Sequence, residues 1–188
     1  MKKLLLTLLL CEMLFANESA KDLAVKEASN ALHKLHEMMS TNVKTRISDK
    51  GIYAGAKFCV NESYSKIEEL SKSLGENISL KRVSLKNRNP KSYPSEDEVK
   101  ILEAFELIEK SNAYLPSEIV QLNNDGEYKI YFPSTMSNKS CKSCHGAQKG
   151  VDIQVQELIK SKYPNDKAID FVSGQVRGAV IVTVKQKQ

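Results

Sequence analysis

An α+β fold with an antiparallel sheet is expected, on three observations. Helical periodicity fills the front of the chain, hairpin-type strand signals follow, and a capped helix is interposed among the strands. At 188 residues and 41% hydrophobic content, the chain supports one ordinary domain with a real core.

From about Ser19 to Ser40, the residues Ala24, Ala28, Ala31, Leu35 and Met38 recur at steps of three and four, which predicts a helix. His33 lies opposite this stripe and His36 on its flank, so both belong at the surface, whereas Met38 and Met39 belong in the core. A second helical pattern, from about Ser48 to Leu74, places Ile52, Ala56, Cys59, Ser63, Ile67 and Leu70 on one stripe, and Gly75 ends it. Ile78 to Leu85 reads as a strand running into Lys86-Asn87-Arg88-Asn89-Pro90, whose proline cannot continue a central strand. Ser95 and Glu98 have capping-box spacing ahead of Val99, Ile101, Leu102, Phe105 and Ile108, predicting a helix over 96–110. Ile119 to Leu122 and Glu127 to Phe132 flank Asn123-Asn124-Asp125-Gly126 as a hairpin would. A short helix over 151–161 and a closing strand over 178–184 complete the chain, with Val180, Val182 and Val184 on one face of that strand.

Lys2 and Lys3, an apolar run from Leu4 to Phe15, and Ala16 before Asn17 read as an export signal over 1–16, leaving 17–188 as a single mature domain. The run is too short for an ordinary membrane-spanning helix, so a periplasmic chain with no stable membrane insertion is expected. A lipidated Cys11 is disfavoured by the bulk of Leu10. Losing Lys2, Lys3 and Glu12 takes the formal charge from +5 to +4, and no basic cluster is interleaved with aromatics, which speaks against nucleic-acid binding. Three cysteines remain after such processing, an odd count that needs an account in an oxidising compartment.

That account lies in Cys141-Lys142-Ser143-Cys144-His145, a C-x-x-C-H pentapeptide and the attachment signature of c-type haem. Positions i, i+3 and i+4 share one face of a helical turn, so two thiols and an imidazole meet a flat ligand from one side. Cys141 and Cys144 would form thioethers with the vinyl groups, and His145 would ligate the iron. Rival readings are a thioredoxin-type CxxC redox pair with Cys141 as nucleophile, and a structural zinc site from Cys59, Cys141, Cys144 and His145. In the zinc case adjacent Cys144 and His145 would rarely both reach one tetrahedral ion. Cys59, on an inward stripe, is either a buried small hydrophobe or an iron ligand.

Several blocks in collinear order carry a resemblance: Ala56-Lys57-Phe58-Cys59, Lys81 through Pro90, Leu102-Glu103-Ala104-Phe105, the motif with Gly146, Tyr163 through Ala168, and Val176-Arg177-Gly178-Ala179. The chain resembles the haem c-binding, PAS-like domains of formerly unknown function, found as small exported cytochromes and as sensing modules of bacterial signalling proteins. The resemblance implies a PAS-like antiparallel sheet with N-terminal helices, one covalent haem c and Cys59 as distal ligand. It also implies that Arg82, Arg88 and the adjoining Asn89 lie near the haem, where guanidinium groups could meet propionates. Ser92, Asp97, the pair Asp170-Phe171 and Gln175 depart from the family pattern.

The function expected is that of an exported mono-haem protein, not an enzyme, serving as a redox or small-ligand sensor toward a separate protein partner. A periplasmic electron carrier is the alternative within the same chemistry, and a thiol-disulfide oxidoreductase the alternative outside it.

Overall fold

A computed structural model describes residues 2–137 and 139–186, without the side chains of residues 2–19 and 139. The expected leader, 1–16, therefore lies outside the described side chains. The elements run α1 (Lys2–Asn61), α2 (Ser63–Ser73), β1 (Ile78–Val83), α3 (Glu96–Lys110), β2 (Ile119–Leu122), β3 (Glu127–Thr135), α4 (Lys139–His145), α5 (Ile153–Lys162) and β4 (Val176–Lys185). The four strands form one sheet in the order β1-β4-β3-β2, every pair antiparallel. Among the described residues no helix is long and apolar enough to cross a membrane.

Period-two alternation along the long central strands gives the sheet two apolar faces. On one, Val180, Val182 and Val184 join Ile130 and Phe132 beneath Ala24, Ala28, Ala31 and Leu35 of α1. On the other, Ala179, Ile181 and Tyr131 pack beneath Leu102 and Phe105 of α3. Burying each such aliphatic or aromatic side chain contributes about 1.5–3 kcal/mol, and this sandwich fixes where the remaining elements can go. The hairpin forms at the expected tetrapeptide because Asn123 Oδ1 accepts from the amides of Asp125 (3.0 Å) and Glu127 (2.8 Å).

The front of the chain departs from expectation. Helix continues through 41–47, where a connection was expected, and it breaks instead at Gly51, inside the second expected helix, with φ 78° and ψ 175°. The chain doubles back there. Arg46 reaches Glu62 at 3.2 Å and stacks 4.9 Å from the Phe58 ring centroid, whereas sixteen residues of straight helix would separate positions 46 and 62 by about 24 Å. Polar and β-branched residues at 41–47 have weak helix propensity, but Ile47 packs its side chain against Gly55 of the returning arm, and packing overrides propensity. The returning arm lays Ala56 and Val60 against Val155 and Ile159 of α5.

Helix α3 starts where its capping box predicted, with the Ser95 amide donating to Glu98 Oε2 at 3.0 Å. Glu98 is also ion-paired to Lys81 Nζ at 2.8 Å, with its own side chain 2% exposed and that of Lys81 54% exposed. Burial raises the Glu98 pKa, but the Lys81 and Ser95 hydrogen bonds outweigh it and hold the carboxyl below its usual range. A depressed folded-state pKa stabilises above the unfolded value of about 4.3 and is lost as pH falls through the lower folded value. Glu98→Gln is therefore expected to cost about 1–2 kcal/mol at neutral pH, and less below pH 4, in urea titrations across that range. An equal cost at both pH values would remove the ion pair from the explanation.

Candidate functional site

A cavity of about 270 Å³ lies where α1, α2, β1, α4 and the start of β4 meet. Cys59 enters its wall from the returning arm of α1, Arg82 from β1, Arg88 and Asn89 from the following loop, Cys141 and His145 from α4, and Arg177 from β4. The structure thus gathers six of the seven residues expected at a site from segments up to 86 positions apart. The seventh, Cys144, lies one turn along α4 from the cavity wall, packed beside the cluster containing Ala56, Val60 and Val155. Cys141 packs beside Met136, Ala168 and Phe171.

Helix α4 is short and is held from outside. The amides of Asp170 and Phe171 donate to the carbonyls of Gly146 (3.0 Å) and His145 (2.9 Å), strapping the 166–171 segment over its C-terminal end. Arg88 locks this strap: Nε donates to Asp166 Oδ2 at 3.0 Å, and Nη2 donates to the carbonyls of Cys144 at 2.8 Å and Ala168 at 3.2 Å. Arg88 was expected near a propionate; what it contacts is a carboxylate and two carbonyls of the protein, a bidentate, charge-assisted use of its fork. Asn89 points its amide toward the Tyr163 hydroxyl at 3.5 Å, and that hydroxyl donates to the Val60 carbonyl at 3.1 Å, tying the loop to the arm that carries Cys59.

The tautomer of His145 follows from its partner. Nδ1 lies 2.8 Å from the Ala168 carbonyl, which can only accept, so Nδ1 carries the proton and Nε2 presents a lone pair. Burial, reinforced by the charges of Arg177 and Arg88, pushes the His145 pKa well below the ordinary histidine value and keeps the ring neutral. A neutral imidazole oriented by a backbone carbonyl is the form that ligates a metal. Arg177 Nη2 donates to that Nε2 at 3.0 Å.

The cavity wall is cationic. Burial, then the charges of Arg82 and Arg88, bring the Arg177 pKa down to about 9, and among the described residues its buried Nε has no partner. Burial likewise lowers Arg82, against the influence of the Cys59 and Cys141 thiols. Burial raises the Cys59 thiol, while Arg82, Arg88 and Arg177 pull it back toward the thiolate. The Cys144 thiol, away from the cavity, is pushed up to about 11 by burial. Guanidinium groups beside a thiol suit an occupant that brings negative charge and a metal able to take a thiolate. Among the described residues no three His, Cys, Asp or Glu side chains converge on one point as a bare ion would need, which leaves the zinc reading without a ligand set.

Arg177 and Met136 were not among the residues expected at the site. Arg177 falls one residue before the expected closing strand, within the Val176–Ala179 block that carries the resemblance, and no role followed from it there; Met136, a thioether that could replace Cys59 as a ligand, is fully buried on the cavity wall. Met39 also lines the cavity, whereas Met38 packs on the sheet and His33 and His36 are exposed.

The family model described as Tll0287-like, Tll0287, matches residues 17–185. No curated protein matches the chain. Among solved structures, the crystal structure of the cyanobacterial heme-protein Tll0287 matches with a TM-score of 0.66 at 24% identity, over 87% of this chain and 96% of that one. At that identity the likeness is one of fold.

Proposed function

This chain belongs to the Tll0287-like family, and from that premise we propose that it is an exported, periplasmic protein holding one covalent haem c in a PAS-like fold. It would act as a redox or small-ligand sensor and not as an enzyme. The solved relative is described as a heme-protein. The observation that carries the reading is the lone pair of His145 Nε2 and the Cys59 thiol facing one arginine-lined cavity, with the C-x-x-C thiols on the same short helix as the histidine.

Cys141 and Cys144 would hold the porphyrin through thioethers, His145 would supply the proximal nitrogen and Cys59 the distal sulfur. When bound, the haem supplies a one-electron iron centre. The protein's part is orientation and electrostatics: Ala168 sets the imidazole tautomer, Arg88 and Asp166 hold α4 in place, and the surrounding guanidinium groups offset part of the burial that keeps the Cys59 thiol protonated. An anionic sulfur on the iron favours the ferric state, so the potential lies below that of a His/Met cytochrome. With haem bound, the redox chemistry of its iron would supply the signal, Cys59 would be the residue whose hold on the iron could change, and a separate protein partner would receive the signal.

Cys59→Ala tests the ligation. The ferric wild type is expected to be low-spin with thiolate features in absorption and paramagnetic resonance spectra, and the variant to lose them and raise the potential. An unchanged low-spin spectrum removes Cys59 from the iron and points to Met136, the buried thioether on the same wall. Exposing reduced protein to carbon monoxide separates sensor from carrier: rapid displacement of the distal ligand favours sensing, while inertness with fast electron exchange favours a carrier.

A further inference from the structure

Resting on the haem reading above, we propose that Arg177 is the residue that pairs with a haem propionate, and that it reaches this carboxylate by letting go of His145 Nε2. Arg177 is the extra residue of a β-bulge: Ser134 pairs with Gly178 and Thr135 with Val176, so position 177 has no partner in the register. A bulge re-aims the side chain it carries. Val176 and Ala179 both pack toward α3, which strict alternation would forbid, and the shift turns Arg177 into the cavity.

Its main chain is pinned, while its side chain is held by a hydrogen bond to His145 Nε2. The Arg177 carbonyl accepts from Ser84 Oγ at 2.5 Å, and the next residue, Gly178, lies tight against the Val83 carbonyl. The side chain can still move through its own torsions.

The charge balance around this side chain requires an anion from elsewhere. Among the described residues, the ionisable groups that weigh most on Arg177 are Arg82, Arg88, Cys141 and Cys59, with His145 in direct contact, and none of these is a carboxylate. Glu68, the acidic side chain on the cavity wall, is exposed to solvent. Arg88 has Asp166 and two carbonyls for its own donors. Among the described residues, Arg177 donates to a neutral ring nitrogen, and its buried Nε meets no acceptor. A guanidinium carries five donors, and leaving its charge buried without a counter-charge is costly. One lone pair on Nε2 cannot serve both an N–H donor and an iron. A haem bound there takes the lone pair and brings carboxylates, so the guanidinium exchanges a weak acceptor for a charged, bidentate one.

The test uses the full chain expressed with cytochrome maturation, as wild type, Arg177→Gln and Arg177→Lys. Haem staining of denatured protein first establishes attachment; a wild type without stain sinks the haem reading and not this pairing. In stained protein, Arg177→Gln is expected to shift the propionate bending band in the resonance Raman spectrum and lower the reduction potential, because an uncompensated carboxylate favours ferric iron. Arg177→Lys should recover the potential in part, since charge persists without the planar fork. An unchanged band and potential in stained Arg177→Gln would overturn the pairing. If the glutamine variant retains no haem, the Raman band of Arg177→Lys decides: a shift supports the pairing and an unchanged band overturns it.

Discussion

Replacing Cys141 and Cys144 together by serine is expected to abolish covalent haem: no stain should remain on the denatured chain, whereas wild type and each single variant keep it. Both sulfurs sit on α4, a helix of seven residues held by the 166–171 strap and by Arg88 rather than by its own length. The loss is therefore chemical and not a collapse of the site. Serine is close in size to cysteine and costs about 1 kcal/mol at a half-buried position, so far-ultraviolet circular dichroism of the double variant should stay near wild type. Each single variant forms one thioether and leaves one vinyl group conjugated with the ring, so its absorption bands should move to longer wavelength. The two thiols differ in setting, with Cys141 on the cavity wall and Cys144 packed toward α5, so the two single variants should differ in haem yield. Stain surviving in the double variant would remove the thioethers from the account, and a thiol-disulfide role for the pair would then have to be measured directly.

The second large effect is in the sheet. Gly178→Ala is expected to destabilise the fold by roughly 3 kcal/mol or more, read as a lower urea midpoint with unchanged slope. At φ 154° the added Cβ would stand 2.1 Å from the Val83 carbonyl oxygen and 3.0 Å from Ser84 Cβ, and the first of these neighbours is backbone that cannot swing aside. Against a typical total of about 5–15 kcal/mol this is a large fraction. The cost falls where β1 meets β4 and where Ser84 pins the Arg177 carbonyl, so the variant should also lose haem more readily than an equally destabilised core variant such as Ile181→Val with a second truncation. A midpoint within about 0.5 kcal/mol of wild type would show that the two strands can part at this point without penalty.

The elements legible in the chain were those whose causes are local. The capping box of Ser95 and Glu98, the Asn123 turn and the alternation of Val180, Val182 and Val184 each depend on residues within a few positions of one another. The spacing of Cys141, Cys144 and His145 is of the same kind. From these the α+β architecture and the antiparallel sheet could be read.

The arrangement around the cavity depends on contacts that no short window contains. The bond from Arg88 to Asp166 spans 78 positions. The reversal at Gly51 brings Arg46 to Glu62 and Phe58 and Ile47 to Gly55, and a helical pattern running past position 51 carries no trace of those meetings. The bulge at Arg177 inverts the face that simple alternation assigns, because registry with β3 is decided between strands and not along one. By itself the sequence determined the chemistry available, two spaced thiols with an imidazole and a further cysteine on an inward stripe. Only the tertiary structure decided which charges face those groups, since burial, counter-charge and side-chain direction arise when distant segments pack together.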